Sequence, residues 1–423
     1  MDGTVRFVYR QARWLNEHGF RTAVFGGDGV LRAEFERAKI PFTVVPALSA
    51  DVPQEASMRD RDTLIAAASG FDAIVATASR PFPFVFEALG RRSAIIYDVL
   101  SCDLFASGEN ALESVRWAAE RGHIIAHSKI DACAHLARFG GDPHSVRIAY
   151  LPIDEPPQVD ADERQALRAD LGIAADDKLV LTATRLDDDH VRFVLPLARA
   201  VDRLRSGGRS VRLVVVGDGA CRADVERDAP PLTRFTGTRF DLDRLYAACD
   251  LYCGEGTTRL EAAARAIPVI ATGGQTHADA SLACMLWGMH STPDTDERSN
   301  TIVPQISFDE AITLLLDDTA LARRAAQRAL LQTRSRHGID SYMGFLTALI
   351  AGNAPAGPVE ITNRRAARHL HIDGDAELPA AARTIAAGDG DIGVSSATPI
   401  SWRAFGALAD EEWPIVAGAS HLG

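Results

Sequence analysis

Twice along this chain, short apolar runs alternate with longer stretches of helical periodicity, and a proline-dense segment, Pro152-Ile153-Asp154-Glu155-Pro156-Pro157, separates the two series. Apolar runs without polar alternation read as parallel strands covered on both faces, and strand–helix alternation builds a doubly wound sheet. Ahead of the linker the expected strands are Arg21–Gly26, Phe42–Ala47, Asp72–Thr77, Ala94–Val99, His123–Ser128 and Val146–Leu151. Helices are expected at Val5–Glu17, stopped by Gly19, and at Asn110–Glu120, stopped by Gly122, since glycine past a helix end is the usual left-handed stop. Beyond it, strands are expected at Leu179–Thr184, Val211–Val216, Leu232–Gly237, Asp250–Cys253 and Pro268–Thr272. Helices are expected at Val191–Leu204, Leu242–Ala248, Thr257–Arg265, Asp279–Trp287, Phe308–Leu316, Ala320–Ser335 and Ile339–Ile350. The predicted organisation is an α/β domain over 1–152, a second over 153–352, and an irregular extension over 353–423 that opens with a Gly/Pro/Ala linker and carries Trp402 and Trp413. Two such domains facing a cleft form a standard ligand site.

A net charge of −12 over 423 residues excludes a general nucleic-acid binder, which needs a basic footprint. No apolar run reaches the roughly 20 residues of a membrane span, and the start has no signal pattern, so the cytoplasm is expected, with docking on the inner membrane face left open. Lysine is confined to Lys39, Lys129 and Lys178, and the Arg- and Ala-rich composition fits a bacterial source. The six cysteines form no C-x-x-C pair, which argues for buried thiols rather than a zinc site.

The chemistry concentrates between Leu213 and Gly273. A buried strand ends in Gly217-Asp218-Gly219, where glycines would let backbone N–H groups approach a ligand. Further on, Asp250 to Cys253 leads into Gly254-Glu255-Gly256 and then a helix opened by Thr257 and Thr258. The hydroxyls and free N–H groups of such a first turn suit a diphosphate, and Glu261, one turn inside, is placed to accept the two hydroxyls of a ribose.

In its second half this sequence resembles the nucleotide-sugar-binding domain of GT-B glycosyltransferases, the retaining family 4 in particular. The family's R-L-x-x-x-K-G corresponds to Arg185-Leu186-Asp187-Asp188-Asp189-His190-Val191, its G-D-G to Gly217–Gly219, and its F-x-G to Phe235-Thr236-Gly237. Its aaaD corresponds to Ala247-Ala248-Cys249-Asp250 and its lEAmA-G-PVia to Leu260–Ala271. Arg6–Val24 and His123–Ser128 resemble the acceptor domain more loosely.

The resemblance implies an α/β GT-B architecture of two doubly wound, Rossmann-like domains, and an enzyme of hexosyltransferase type. It would move a sugar from a nucleotide-diphosphate donor to an acceptor hydroxyl with retention, without metal or other cofactor. Donor-binding residues would be Arg185, His190, Gly217, Gly219, Glu255, Gly256, Thr257, Thr258 and Glu261, with Arg185 and Asp98 in catalytic roles. Saccharide, lipid-linked and small-molecule acceptors are all compatible. Three departures stand out. The family's first strand is missing ahead of Asp2-Gly3, its E-x7-E pair keeps Glu261 while Glu255 is only six residues upstream, and its phosphate-binding lysine is replaced by His190. These departures keep a non-catalytic subunit as the alternative. A nucleotide-sugar 2-epimerase is a more distant one, since it needs a cluster of His and acidic residues that the sequence does not display.

Overall fold

In a computed structural model of the chain, the structure describes residues 3–29, 31–45, 64–77, 94–99, 123–127, 146–188, 190–272, 284–286 and 306–351. It divides into two compact units. Among the described residues, one is built on 153–338, and the other on those from 4 to 152 together with 339–351.

The unit formed by 153–338 carries a six-stranded sheet in the order β12-β11-β10-β7-β8-β9. Its strands are β7 (Lys178–Ala183), β8 (Val211–Val216), β9 (Arg234–Phe235), β10 (Leu251–Gly254), β11 (Val269–Thr272) and β12 (Cys284–Leu286). Every neighbouring pair runs parallel except β11 and β12. The antiparallel β12 replaces part of the helix expected over 279–287; a three-residue apolar run has no periodicity of its own, and pairing with Val269–Thr272 decides it.

The continuous apolar strands are explained by coverage on both faces. Leu179, Leu181 and Ala183 of β7 and Val214 and Val216 of β8 enter one core. Val180 of β7 and Leu213 and Val215 of β8 enter the other. The first core is closed by α3 (Ala161–Asp170), α6 (Leu242–Ala248) and α7 (Gly256–Ala263). The second is closed by α4 (Val194–Ser206), α5 (Arg222–Asp228) and α8 (Phe308–Asp317), and α9 (Thr319–Arg336) gives Ala329 to the first core and Ala322 to the second. Asp250, just ahead of β10, pins α3 to the sheet. It accepts from Arg164 (3.2 Å), Arg168 (3.0 Å) and the Leu179 N–H (2.8 Å).

Among the described residues, the other unit holds α1 (Gly3–Glu17), α2 (Arg32–Arg37) and two parallel sheets. One pairs β1 (Val24–Gly26) with β2 (Phe42–Val44); the other runs β3 (Ala73–Thr77), β4 (Ala94–Val99), β5 (His123–Ala126) and β6 (Val146–Ile148) in that order. The last helix, α10 (Ile339–Ile350), follows the second unit in sequence but packs here. Its Tyr342, Met343, Leu346 and Leu349 join Phe7, Ile125 and Ala149 in one core. Gln11 donates to the Tyr342 hydroxyl (2.9 Å) and the Trp14 indole to Asp340 (2.7 Å). The sequence alone had grouped this helix with 153–352. The expected helix over 110–120 and the extension 353–423 lie outside the described residues. Among the described residues, no helix is long and apolar enough to cross a membrane.

Between α7 and β11 the chain turns through Ala266, an exposed alanine at φ 55°. Left-handed backbone crowds a Cβ, so Ala266→Gly should stabilise this unit by roughly 1 kcal/mol. Urea unfolding of the two proteins measures it; equal midpoints would show that the turn is unstrained.

Candidate functional site

Strand order places a switch point in the sheet of the 153–338 unit. From β7 the chain proceeds to β8 on one side, whereas β10 and β11 lie on the other. In open α/β sheets, ligands bind beyond the carboxyl ends of the strands at such a point. The segments leaving β7 and β10 carry Arg185 to His190 and Glu255 to Thr258, so the topology brings together two motifs that lie some seventy residues apart in sequence.

The β7 segment is shaped by β8. A Cβ on Gly217 (φ 139°) would lie 1.8 Å from the Thr184 carbonyl oxygen, and one on Gly219 would lie 2.3 Å from that of Leu186. The Leu186 N–H donates to the Asp218 carbonyl (3.0 Å), and the Cys221 N–H donates to that of Leu186 (2.8 Å). The glycines therefore permit one backbone to lie against another. Their own N–H groups are engaged within the protein, Gly217 to the Gly237 carbonyl (2.9 Å) and Gly219 to the Asp218 carboxylate (2.9 Å). The sequence reading had them approach a ligand; in this structure they pack against protein.

Held in this way, the β7 segment folds its polar side chains onto one another. The His190 ring meets Asp187 through Nδ1 (2.7 Å), and the Arg185 guanidinium lies 3.1 Å from His190 Nε2 and 3.4 Å from Asp187. Burial works against ionisation of Asp187, but the hydrogen bond and charge of His190 and the charge of Arg185 outweigh it, holding its carboxyl below the usual range. Arg185 is 40% exposed and His190 28%. His190 precedes a 3-10 turn, Val191–Phe193, and α4 begins only at Val194, so the helix expected from Val191 starts one turn later.

Across the switch point, Glu255 occupies the N-cap position of α7 without capping it by its side chain. The first-turn N–H groups thus receive no help from the residue that usually satisfies them. The Glu255 side chain is only 7% exposed, its Oε1 takes no hydrogen bond, and that atom lies 3.8 Å from His190 Nε2. Burial pushes its pKa up to about 8, against the opposing charges of Arg259 and Arg185 and with a further push from Asp187. Thr258 is committed to the fold. Its hydroxyl donates to the Glu255 carbonyl (2.8 Å) and accepts from the Tyr252 hydroxyl (2.7 Å). Gly256 and Thr257 lead the helix, with Thr257 half-buried.

Glu261 and Asp98 both sit on their expected elements, with surroundings that the sequence does not give. Glu261, assigned to ribose, is 3% exposed and accepts from the Tyr246 hydroxyl (2.8 Å). Asp98 lies near the carboxyl end of β4, in register with Thr77 and Ile125. Sequence reasoning passed over His127, which follows β5 and is buried, with Nδ1 at 2.8 Å from the Ala149 carbonyl and its ring edge-on to Phe7. It also passed over the pairing of His190 with Glu255. Asp187 and Asp188, two members of the acidic run, take different partners: His190 and Arg185 for the former, the Cys221 thiol (3.2 Å) for the latter. No group of three or more His, Cys, Asp or Glu among the described residues is placed to hold a metal ion.

Comparison with solved structures gives the fold. Anabaena Alr3699/HepE, solved with UDP and glucose, matches at TM-score 0.63 and 19% identity, covering 83% of this chain and 96% of that one. WaaG, a glycosyltransferase involved in lipopolysaccharide biosynthesis, matches at TM-score 0.55 and 16% identity over 83% and 97% of the two chains. A Listeria monocytogenes structure named for UDP-N-acetylglucosamine 2-epimerase matches at TM-score 0.54 and 12% identity over 81% and 91%. The chain has the GT-B fold. Residues 177–282, which include both switch-point segments, match the family model for glycosyl transferases group 1. No curated protein matches it in sequence.

The buried Glu255 makes stability depend on pH. Its carboxyl keeps a proton up to about pH 8 in the folded protein but loses it near 4.5 when unfolded. Between those values the folded state binds more protons, so the contribution is complete below the lower value and is lost as pH rises through the upper. Urea unfolding at pH 5, 7 and 9 should show wild type weakening with pH and Glu255→Gln weakening less. Parallel losses in both proteins would place the titration elsewhere.

Proposed function

We propose that the switch point of the 153–338 unit binds the diphosphate of a nucleotide-sugar donor, whose sugar is transferred to an acceptor hydroxyl. The carrying observation is the uncapped start of α7 beside Arg185: a helix N-terminus and a guanidinium converging where parallel strands end. Helix N-termini favour anions, and a diphosphate leaving group needs positive charge aimed at it as the bond breaks. Arg185 supplies that charge, and Gly256 and Thr257 offer the N–H groups. His190 takes a different part from the lysine it replaces. With its ring between Asp187 and Arg185, it positions the guanidinium. A protonated Glu255 also suits an anionic ligand, because a second negative charge would repel it.

Retention of configuration and independence of metal belong to the same reading, by resemblance to family 4. Acceptor activation is assigned to Asp98 on β4 on that basis alone.

A second reading has one observation in its favour. His190, Asp187 and Glu255 form a cluster of histidine and carboxylates of the kind a nucleotide-sugar 2-epimerase would need. Incubating the protein with UDP-sugars in the absence of acceptor separates the readings: an epimerised sugar nucleotide supports the second, and slow hydrolysis to UDP and an unepimerised sugar supports the first.

Binding of UDP, GDP, ADP and dTDP followed by calorimetry tests the site. Arg185→Ala should weaken the preferred nucleotide by about 1.5–3 kcal/mol, as for a hydrogen bond to a charged group, and His190→Ala by less. Affinity of wild type should fall between pH 7 and 9 as Glu255 ionises, and Glu255→Gln should flatten that fall. Unchanged affinity in Arg185→Ala would remove the diphosphate from this site. Activity lost to EDTA and restored by Mg²⁺ would overturn metal independence.

A further inference from the structure

Helix α9, which contributes to both cores of the 153–338 unit, has two unlike faces. The inner face is small and buried, formed by Ala322, Ala325, Ala326, Ala329 and Thr333. The outer face carries Arg323, Arg324, Gln327, Arg328, Leu331 and Arg334, all of them exposed. With about 3.6 residues per turn, these side chains span roughly 140° of the helix surface. Leu331 falls near the middle of that arc, with Arg323 and Arg334 on one flank and Arg324 and Arg328 on the other. It is 68% exposed, more than any other large apolar side chain among the described residues.

The charge on this face is of one sign. Acidic residues outnumber basic ones 57 to 45 in the whole chain, yet the segment 319–336 contains no Asp or Glu. Other exposed arginines of the unit have carboxylate partners: Arg203 with Asp309, Arg227 with Asp224 and Arg244 with Glu163. Among the described residues, no carboxylate pairs with Arg323, Arg324, Arg328 or Arg334. Arg324 and Arg328 also stand one turn apart, a like-charge spacing that works against the helix. A surface needed only for solubility intersperses the two signs.

We infer that the outer face of α9 is a docking surface for an anionic lipid bilayer. The order of side chains around the arc selects this occupant. A helix lying in the plane of a membrane interface sets its apolar group toward the acyl chains, while long cationic side chains on either flank reach out to the headgroups. Guanidinium suits that place, being weakly hydrated and matched to phosphate in geometry. A nucleic acid or an acidic peptide would use the four charges and leave Leu331 in water. No residue of the switch point takes part, so the inference stands apart from the reading of the donor site.

Co-sedimentation of the full chain with lipid vesicles tests this. Wild type should bind vesicles of equimolar phosphatidylcholine and phosphatidylglycerol at least roughly tenfold more tightly than vesicles of phosphatidylcholine alone. That binding should weaken as salt rises. Replacing Arg324→Gln and Arg328→Gln together should weaken it by roughly 25-fold, about fivefold for each charge. Leu331→Ser should weaken it by roughly threefold, at high salt as at low. The side chains replaced are exposed, so the Tm of either variant should not fall below that of wild type. Equal binding of wild type to the two kinds of vesicle would overturn the inference, as would unchanged binding in the double arginine variant. Binding that depends on the arginines but is untouched by Leu331→Ser would make the face a general polyanion surface, and would overturn the assignment to lipid.

Discussion

The contact on which the candidate site depends is between two backbones, not two side chains. Gly217 and Gly219 bring the turn after β8 so close to Thr184 and Leu186 that a single Cβ at either position has nowhere to go. Hydrogen bonds from Leu186 and to it then fix the path of the β7 segment. That path decides where Arg185, Asp187 and His190 meet. Without it the three would be ordinary polar residues on a loop; with it they form an interlocked group opposite the start of α7.

The electrostatics of the group follow from where the sheet ends. Glu255 is buried at the top of β10, with one oxygen unbonded, and the cost of burying its charge exceeds what Arg259 and Arg185 return, so its proton is retained. Asp187, with His190 in contact and Arg185 nearby, goes the other way. Two carboxylates within one cluster thus hold opposite protonation states near neutrality. The separation arises from solvent exposure and partner geometry alone.

In the second unit the sequence and the structure agree most closely where burial is complete on both faces. Strands β7 and β8 and helices α6, α8 and α9 fall within a residue or so of their expected limits, because their apolar pattern admits one arrangement. The exceptions are local. Residues 284–286 are too few to carry periodicity and become a strand by pairing with β11. α10 carries the amphipathic signal of a helix, but nothing in that signal says which core receives it; the Tyr342–Gln11 and Asp340–Trp14 bonds lie with the first unit.

The sequence by itself determined the two series of parallel strands, the linker between them, and the motifs at Arg185–His190 and Glu255–Thr258, since each is a local pattern of side-chain type and spacing. Tertiary structure decided what those motifs do. It gave Gly217 and Gly219 to backbone packing, turned Glu261 inward to Tyr246, committed the Thr258 hydroxyl to β10, and set His190 between Asp187 and Arg185 within reach of Glu255. Partners of this kind are separated by tens of residues and chosen by strand order. A chain read residue by residue carries the chemistry of each group but not the distance between them, and distance is what sets both a hydrogen bond and a buried charge.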